Sequence, residues 1–209
     1  KEILEQHHRI YTMIKLDEVS NLGAARIRLP SLIAALARRK TVPYEEVTLP
    51  ERPHFTEECR RTHTILAPQM APIQFDLITT ALRKHGYKVI IPEMPKKAAI
   101  DLGLRYVNND MCYPAIVVIG QLIAAIKSGQ CDPDHTSIML FQTCGACRAT
   151  NYLNLMREAL KDAGYGQVPV FACEGMPTET DAFEFTRECF ADVTKAIVYG
   201  DLLMKVKNR

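Results

Sequence analysis

The segment HTSIMLFQTCGACRATNY, residues 135–152, contains the pattern that decides the fold. Its apolar run SIMLFQ is followed by a turn that carries Cys144 and Cys147, and then by the polar start of a segment with helical periodicity. A short, continuous apolar run predicts a strand that is buried on both faces. The segment therefore predicts a strand, a loop and a helix in direct succession, which is the repeating unit of a parallel α/β sheet.

The same alternation of strands and helices extends over residues 55–209. Three further strands are predicted from the short apolar runs THTILAPQ, KVIIPE and VPVFAC. Helices are expected at Pro72 to Lys84, Lys96 to Tyr106, Pro114 to Lys127, Arg148 to Ala163 and Thr178 to Lys205. Helical connections between strands predict right-handed crossovers. We therefore expect an α/β fold with an open, mainly parallel, four-stranded, Rossmann-like three-layer sheet in the strand order 2-1-3-4.

Residues 1–54 have a different pattern and are predicted to form an N-terminal helical arm followed by a proline-rich linker. The run NLGAARIRLPSLIAALARRK has a helical apolar stripe, and Pro30 is expected to end or kink that helix. TVPYEEVTLPERPHF contains several prolines and no periodicity. Because the sequence begins at Lys1 without Met, we interpret it as a piece of a longer polypeptide.

Composition and charge limit the kinds of molecule, such as nucleic acid or membrane, that the protein is expected to bind. The formal net charge of +2 and the absence of a long Lys/Arg run argue against nucleic acid. No apolar run approaches the roughly 18 residues that a membrane span needs, and the start of the sequence lacks a hydrophobic signal region. Seven cysteines without an export signal favour reduced thiols with metal or redox chemistry, and hence the cytoplasm. We expect neither nucleic-acid nor membrane partners.

The candidate site consists of two cysteine-bearing loops. Cys112 precedes an apolar helix, while Cys144 and Cys147 lie between a strand and a helix. Unpaired N–H groups and the helix dipole favour a thiolate at such positions. Ligands of open α/β sheets bind beyond the carboxyl ends of the strands, where the strand order reverses. We expect the loop of Cys144 and Cys147 on that rim, and Cys112 as well if its loop folds over the sheet edge.

The residues alone leave three interpretations of these thiols open: a tightly packed turn, a redox dithiol, and metal ligation. Zinc requires four closely bound ligands at recognisable spacings, whereas an iron–sulfur cluster accepts thiolates gathered from distant loops. Cys173 is a reserve ligand candidate, and Cys189 is expected in the core. Four polar residues flank the cysteine loops: Asn108, Asn109, Thr150 and Asn151. They either form caps and turns or hydrogen-bond to a cluster or ligand.

Two segments carry a family resemblance. YVNNDMCYPAIVVIGQ, residues 106–121, and FQTCGACRATNY, residues 141–152, resemble the dehydratase-type component of the 2-hydroxyacyl-CoA dehydratase family. The branch is that of the large activase-related bacterial proteins and the related double-cubane-cluster proteins. KLDEVSNLGAARIRL and TILAPQMAPIQFDLI also fit, so the resemblance covers most of the chain. It implies a Rossmann-like C-terminal lobe that helps to hold a [4Fe–4S] or double-cubane cluster.

The resemblance also implies partners and roles. An ATPase activase module, in the same or a separate chain, would deliver a low-potential electron to the cluster and from there to an acyl-CoA substrate. Carried over by position, Cys112 and Cys147 are the implied ligands, and a second cysteine-bearing lobe would complete the set. Cys144 departs from the family, in which a small residue such as Gly is expected, so its role as a ligand stays open. An isolated lobe could then lack the cluster, and a cluster-free CoA-binding, nucleotide-binding or docking lobe is the alternative.

Overall fold

The structure is a computed structural model that describes residues 4, 9–12, 14, 22–41, 52–93, 96–108, 111–141, 147–173 and 186–208. The chain divides into two compact units, Lys1–Glu51 and Arg52–Arg209. The first contains helix α1 (Gly23–Thr41). The second contains, in chain order, α2 (Glu57–Thr62), β1 (Thr64–Leu66), α3 (Pro72–Lys84), β2 (Val89–Ile90), α4 (Lys97–Tyr106), α5 (Tyr113–Lys127), β3 (Thr136–Phe141), α6 (Tyr152–Ala163), β4 (Val170–Cys173) and α7 (Arg187–Lys207).

Helix α1 continues through Pro30 and does not end there. Proline has no N–H group to donate to the carbonyl of the residue four positions earlier, so one hydrogen bond of the helix is lost. One residue later, the Ser31 hydroxyl donates to the carbonyl of Ile27 at 2.9 Å. Of the expected effects of Pro30, an end of the helix or the start of a new one is wrong, a kink stays a prediction, and the helix tolerates the missing donor in its interior.

The sheet has four parallel strands in the order β2-β1-β3-β4, which confirms the predicted order and direction. Ile65 is the register partner of Val89 on one side and of Ser137 on the other. Ile138 in turn pairs with Val170. The two longest strand segments thus lie at the centre and at the β4 edge, and the strand order reverses between β1 and β3.

Apolar cores lie on both faces of the sheet, because successive side chains of a strand point to opposite faces. Ile138 and Leu140 belong to a core shared with α5 and α6. Met139, between them, belongs to a second core shared with α3 and α7. The expected burial of the strands on both faces is therefore confirmed.

Helices α4 and α5 cross at two glycines. A Cβ atom built on Gly120 would overlap the carbonyl oxygen of Ala99, and one built on Gly103 would overlap the carbonyl oxygen of Ile116. Both overlaps involve backbone atoms, which cannot rotate away as a side chain can. The absence of a side chain at Gly103 and Gly120 is what lets the two backbones approach this closely.

On the opposite face, α7 is tied to α3 by charge. The Asp192 carboxylate lies 2.8 Å from the Lys84 ammonium and 3.1 Å from His85 Nε2, and Lys195 lies at 3.2 Å from its other oxygen. Lys84, followed by His85 and Lys195, holds the pKa of Asp192 well below its usual range. The contacts of Asp192 with Lys84 and His85 join α7 to the end of α3, whereas the Lys195 contact lies within α7.

The predicted start of the last helix at Thr178 is wrong. The helix begins at Arg187, because Thr186 has an extended backbone and its hydroxyl accepts the N–H of Cys189 at 3.2 Å as an N-cap. Residues 174–185 lie outside the described part of the chain. Cys189 is fully buried, so its expected place in the core is confirmed. Within the described residues, no helix combines the length and apolar character that crossing a bilayer requires.

We predict that Gly120→Ala lowers the free energy of unfolding by about 1–3 kcal/mol, because overpacking in a core without mobile neighbours costs roughly that amount. The matched control is Gly166→Ala, at a position where an added Cβ would meet its nearest atom at 3.7 Å, an ordinary contact. Urea denaturation of the two variants checks the prediction. Equal stability of Gly120→Ala and Gly166→Ala would contradict the close crossing of α4 and α5.

Candidate functional site

Cys112 lies at the rim formed by the carboxyl ends of the strands. It is the N-cap residue of α5, the crossover helix that leads into β3. A crossover helix runs opposite to the parallel strands that it joins, so its N-terminus lies at their carboxyl ends. Cys112 therefore reaches this rim directly, and the expectation that its loop must first fold over the sheet edge is wrong.

Cys147 follows β3 on the same rim. It is the N-cap of a 3-10 turn, Arg148–Asn151, that leads into α6. The predicted helix from Arg148 thus begins with a 3-10 turn, and its α-helical part starts at Tyr152. The Cys147 sulfur accepts the N–H of Ala149 at 3.5 Å and is otherwise exposed. A thiol in this position is available to a ligand.

The hydroxyl of Tyr152 contacts the Cys112 thiol. It lies 3.0 Å from the Cys112 sulfur, across forty positions of sequence. The ring of Tyr152 is buried in the core between the sheet and α5. Cys147 is the N-cap of the 3-10 turn that leads directly into Tyr152. Cys112 is therefore joined to the start of the helix that follows the Cys147 loop, through a phenol that is held by the core.

The same core anchors both cysteine loops. Met111, immediately before Cys112, and Ala149, two residues after Cys147, are partly buried and pack against it. Each loop therefore has one apolar side chain inserted next to its thiol. Such anchoring restricts the loops more than their exposed polar residues would suggest.

The charges around Cys112 favour its thiolate form. Burial raises the pKa of the Cys112 thiol, but the Tyr152 hydroxyl, the Ala115 N–H and the positive charge of Arg148 lower it, and the lowering prevails. Burial and the Cys112 sulfur raise the pKa of Tyr152. Since the phenol is the weaker acid, Cys112 is the first of the two to lose its proton, and the Tyr152 hydroxyl then donates the hydrogen bond to the Cys112 thiolate.

A buried glutamine organises the neighbouring part of the rim. Gln121, in the middle of α5, accepts the N–H of Gln69 at 3.0 Å and donates to the carbonyl of Glu93 at 2.8 Å. Gln69 and Glu93 lie in the segments that follow β1 and β2. Gln121 thus satisfies two backbone groups of loops that would otherwise lack partners inside the protein. It fixes both loops relative to the helix that carries Cys112.

The polar residues named from the sequence divide into two groups. Asn108, Thr150 and Asn151 are exposed and lie on the cysteine loops. Their described bonds are local: the Asn108 carbonyl accepts the N–H of Met111 at 2.9 Å, and the Thr150 N–H donates to the Cys147 carbonyl at 3.2 Å. Asn109 and Cys144 lie outside the described residues. Cys173 ends β4 as the register partner of Phe141, also at the carboxyl ends of the strands.

Sequence reasoning missed Tyr152, Arg148 and Gln121. Tyr152 lies one position before the apolar stripe assigned to α6, so it was included in the motif without a separate role. A polar residue inside the most apolar helix, as Gln121 is, was a usable signal, because a buried amide requires partners. The effect of Arg148 on Cys112 depends on a contact between two loops and has no local signal.

The thiols of Cys112 and Cys147 are chemically suited to bind a soft metal ion or cluster. Thiolates select iron–sulfur clusters, zinc and Cu(I) over hard cations. In the described part of the chain, no group of three or more His, Cys, Asp or Glu side chains is arranged to bind a metal ion. Within the described residues, Cys112 and Cys147 could supply at most two ligands of such a centre.

Comparison of the chain with protein-family models, with curated proteins and with solved structures gave no significant match. The functional argument consequently rests on the geometry of the rim and on the residues of the two cysteine segments.

We predict that Tyr152→Phe slows the alkylation of Cys112 by iodoacetamide at pH 7, on the order of threefold to tenfold. Loss of the hydroxyl donor raises the pKa of the thiol, so less thiolate is present, and the higher intrinsic reactivity of that thiolate offsets this in part. Mass spectrometry of the Cys112 peptide follows the rate. The control is Tyr113→Phe, since Tyr113 is adjacent to Cys112 but 61 % exposed. Equal rates in both variants would contradict the role of Tyr152.

Proposed function

We propose that this chain is the C-terminal lobe of an iron–sulfur protein of the 2-hydroxyacyl-CoA dehydratase type. Such a protein would take part in ATP-driven, low-potential electron transfer to a CoA thioester or another small substrate. The observation that carries the proposal is the 3.0 Å contact between the Cys112 sulfur and the Tyr152 hydroxyl, which joins the Cys112 loop to the start of the helix that follows Cys147. Cys112, Cys147 and Tyr152 all belong to the segments that resemble that family.

The fold supports the proposal in its general class. A four-stranded parallel sheet with apolar cores on both faces is compatible with a Rossmann-like, three-layer lobe over residues 55–209, preceded by a helical arm over 1–54. Open sheets of this kind bind ligands at the carboxyl ends of their strands, where the strand order reverses. The two thiols lie at that end of the sheet.

Cys112 and Cys147 are the proposed ligands of a [4Fe–4S] or double-cubane cluster. Cys144 or a second cysteine-bearing lobe would supply the remaining thiolates. When bound, such a cluster supplies one-electron transfer, and an iron with an open position can polarise a substrate carbonyl. A piece that lacks the other ligands would hold the cluster weakly or not at all.

The surrounding residues of this chain are suited to hold negative charge at the ligands. The Tyr152 hydroxyl donates to Cys112, and the Arg148 charge acts on the same sulfur. The N-terminus of α5 adds the partial positive charge of its dipole. Hydrogen bonds and charges near cluster sulfurs are among the factors that set the reduction potential. Together they favour the more negative, reduced state.

The partners follow from the same proposal. An ATPase activase module, in the same or a separate chain, would dock near the rim to deliver the electron. Asn108, Thr150 and Asn151 are exposed on the cysteine loops and could hydrogen-bond an acyl-CoA carbonyl. Thiolate chemistry of this type requires a reducing compartment, so the proposed location is the cytoplasm.

Iron analysis of the full-length natural protein, purified without oxygen, tests the proposal. We expect brown protein whose iron and sulfide content falls by about half or more in Cys112→Ala and in Cys147→Ala, because each substitution removes one thiolate ligand. EPR spectra of the reduced protein report the cluster type. The matched control is Cys59→Ala, since the Cys59 thiol bonds with Thr56 on α2 and lies outside the two cysteine loops.

Wild-type iron content in both Cys112→Ala and Cys147→Ala would show that these residues are not the ligands. Colourless wild-type protein without iron would instead favour the alternative of a cluster-free CoA-binding, nucleotide-binding or docking lobe.

A further inference from the structure

Two histidines lie together at the opposite end of the sheet from the cysteines. His63 immediately precedes β1, and His135 closes a 3-10 turn, Pro133–His135, immediately before β3. Because β1 and β3 are parallel neighbours, both residues are at the amino ends of the strands. Their ring centroids are 6.2 Å apart and their planes form an angle of 70°.

One nitrogen of each ring is held by the protein. His63 Nδ1 lies 2.8 Å from the hydroxyl of Ser137, which is fully buried. His135 Nδ1 lies 2.8 Å from an Asp132 carboxylate oxygen. The other Asp132 oxygen accepts the N–H of Asp134 at 3.2 Å, so this carboxylate is itself held in place. His135 also lowers the pKa of Asp132.

The second nitrogen of each ring, Nε2, is available to a ligand. Within the described residues, neither Nε2 of His63 nor Nε2 of His135 has a hydrogen-bond partner. A metal-binding histidine typically uses its second ring nitrogen for a bond to a carboxylate or another polar group, which fixes the tautomer and the ring orientation. His135 with Asp132 and His63 with Ser137 both have that arrangement.

The two rings lie near the separation that a shared ion requires. A Zn–N bond is about 2.1 Å and the ring centre lies roughly 1.1 Å beyond the nitrogen, so each ring centre is about 3.2 Å from the metal. Two rings on one ion are then separated by about 4.5 Å at a right angle and by about 5.2 Å at the tetrahedral angle. The observed 6.2 Å exceeds the tetrahedral value by about 1 Å. His135 is largely exposed and closes this gap by a rotation of its side chain.

We propose that His63 and His135 together bind a divalent cation of the late first-row transition metals, with Zn²⁺ as the physiological candidate. Imidazole nitrogen is a preferred ligand of these ions. The described residues contain no cluster of three or more metal-binding side chains, so water completes the coordination. The bound ion joins the segment before β1 to the segment before β3 and stabilises the central strand pair. This site is separate from the cysteine rim.

Calorimetric titration with Zn²⁺ tests the site in a background of Cys112→Ala, Cys144→Ala, Cys147→Ala and Cys173→Ala, which removes the thiols of the cysteine rim. We expect one binding event, weakened by about tenfold or more in His63→Ala and in His135→Ala, since each removes one of two protein ligands. Asp132→Asn should weaken binding by about tenfold while leaving both ligands present. His54→Ala, which changes a histidine outside the pair, is the control and should bind as the background does.

Circular dichroism shows which variants remain folded. If His63→Ala unfolds because Ser137 loses its partner, His135→Ala decides the question, because the His135 side chain is 66 % exposed and its removal leaves the core intact. Absence of Zn²⁺ binding in the background without the rim thiols overturns the proposal. Equal affinity of folded His135→Ala and the background overturns it as well. Neither result depends on whether Cys112 and Cys147 bind iron.

Discussion

The parallel pairing of β1 with β3 is the constraint on which the candidate site depends. A parallel sheet gives all its strands the same direction, so the segments that follow strands and the N-termini of the crossover helices share one rim. That arrangement places Cys112, at the start of α5, on the same rim as Cys147, after β3. The two residues are distant in sequence and are brought together by the direction of the chain.

Close packing behind the rim holds this arrangement in place. Gly103 and Gly120 let α4 and α5 approach each other, and the buried side chain of Gln121 fixes α5 to the loops after β1 and β2. Tyr152 then extends from the same core to the Cys112 sulfur. The position of the thiol thus depends on buried contacts, although the thiols themselves are half-buried or exposed.

The sequence was sufficient for features with local signals. The strand order follows from the alternation of apolar runs with helices, and the end of α3 from His85 and Gly86, where a glycine with a φ of 87° accepts the left-handed conformation that closes a helix. The start of α7 was placed too early. The long polar stretch before Arg187 contains no glycine or proline from residue 178 onward to mark a break, and the Thr186 cap alone sets the start of the helix. Helix α1 continues through Pro30 because the proline removes only one hydrogen bond of the helix.

The site itself was only partly accessible from the sequence. Helix N-termini identified Cys112 and Cys147, since their positions relative to the helices are local. The hydrogen bond between Cys112 and Tyr152 joins residues forty positions apart and depends on how α5 and α6 pack against the sheet. The two histidines at the other rim are also brought together by the fold, since they are far apart in sequence. Contacts of this kind require the fold to be known.

The central claim, that Cys112 and Cys147 meet at one rim, is tested most directly by bridging them with dibromobimane, a short reagent that links two thiols. The reaction is carried out on folded Cys144→Ala, so that Cys147 has no thiol partner within its own loop, and the products are mapped by mass spectrometry. We predict a cross-link between the Cys112 and Cys147 peptides that is lost when the protein is unfolded in urea before reaction. Single labelling of both thiols in the folded protein, without any cross-link between them, would contradict the account.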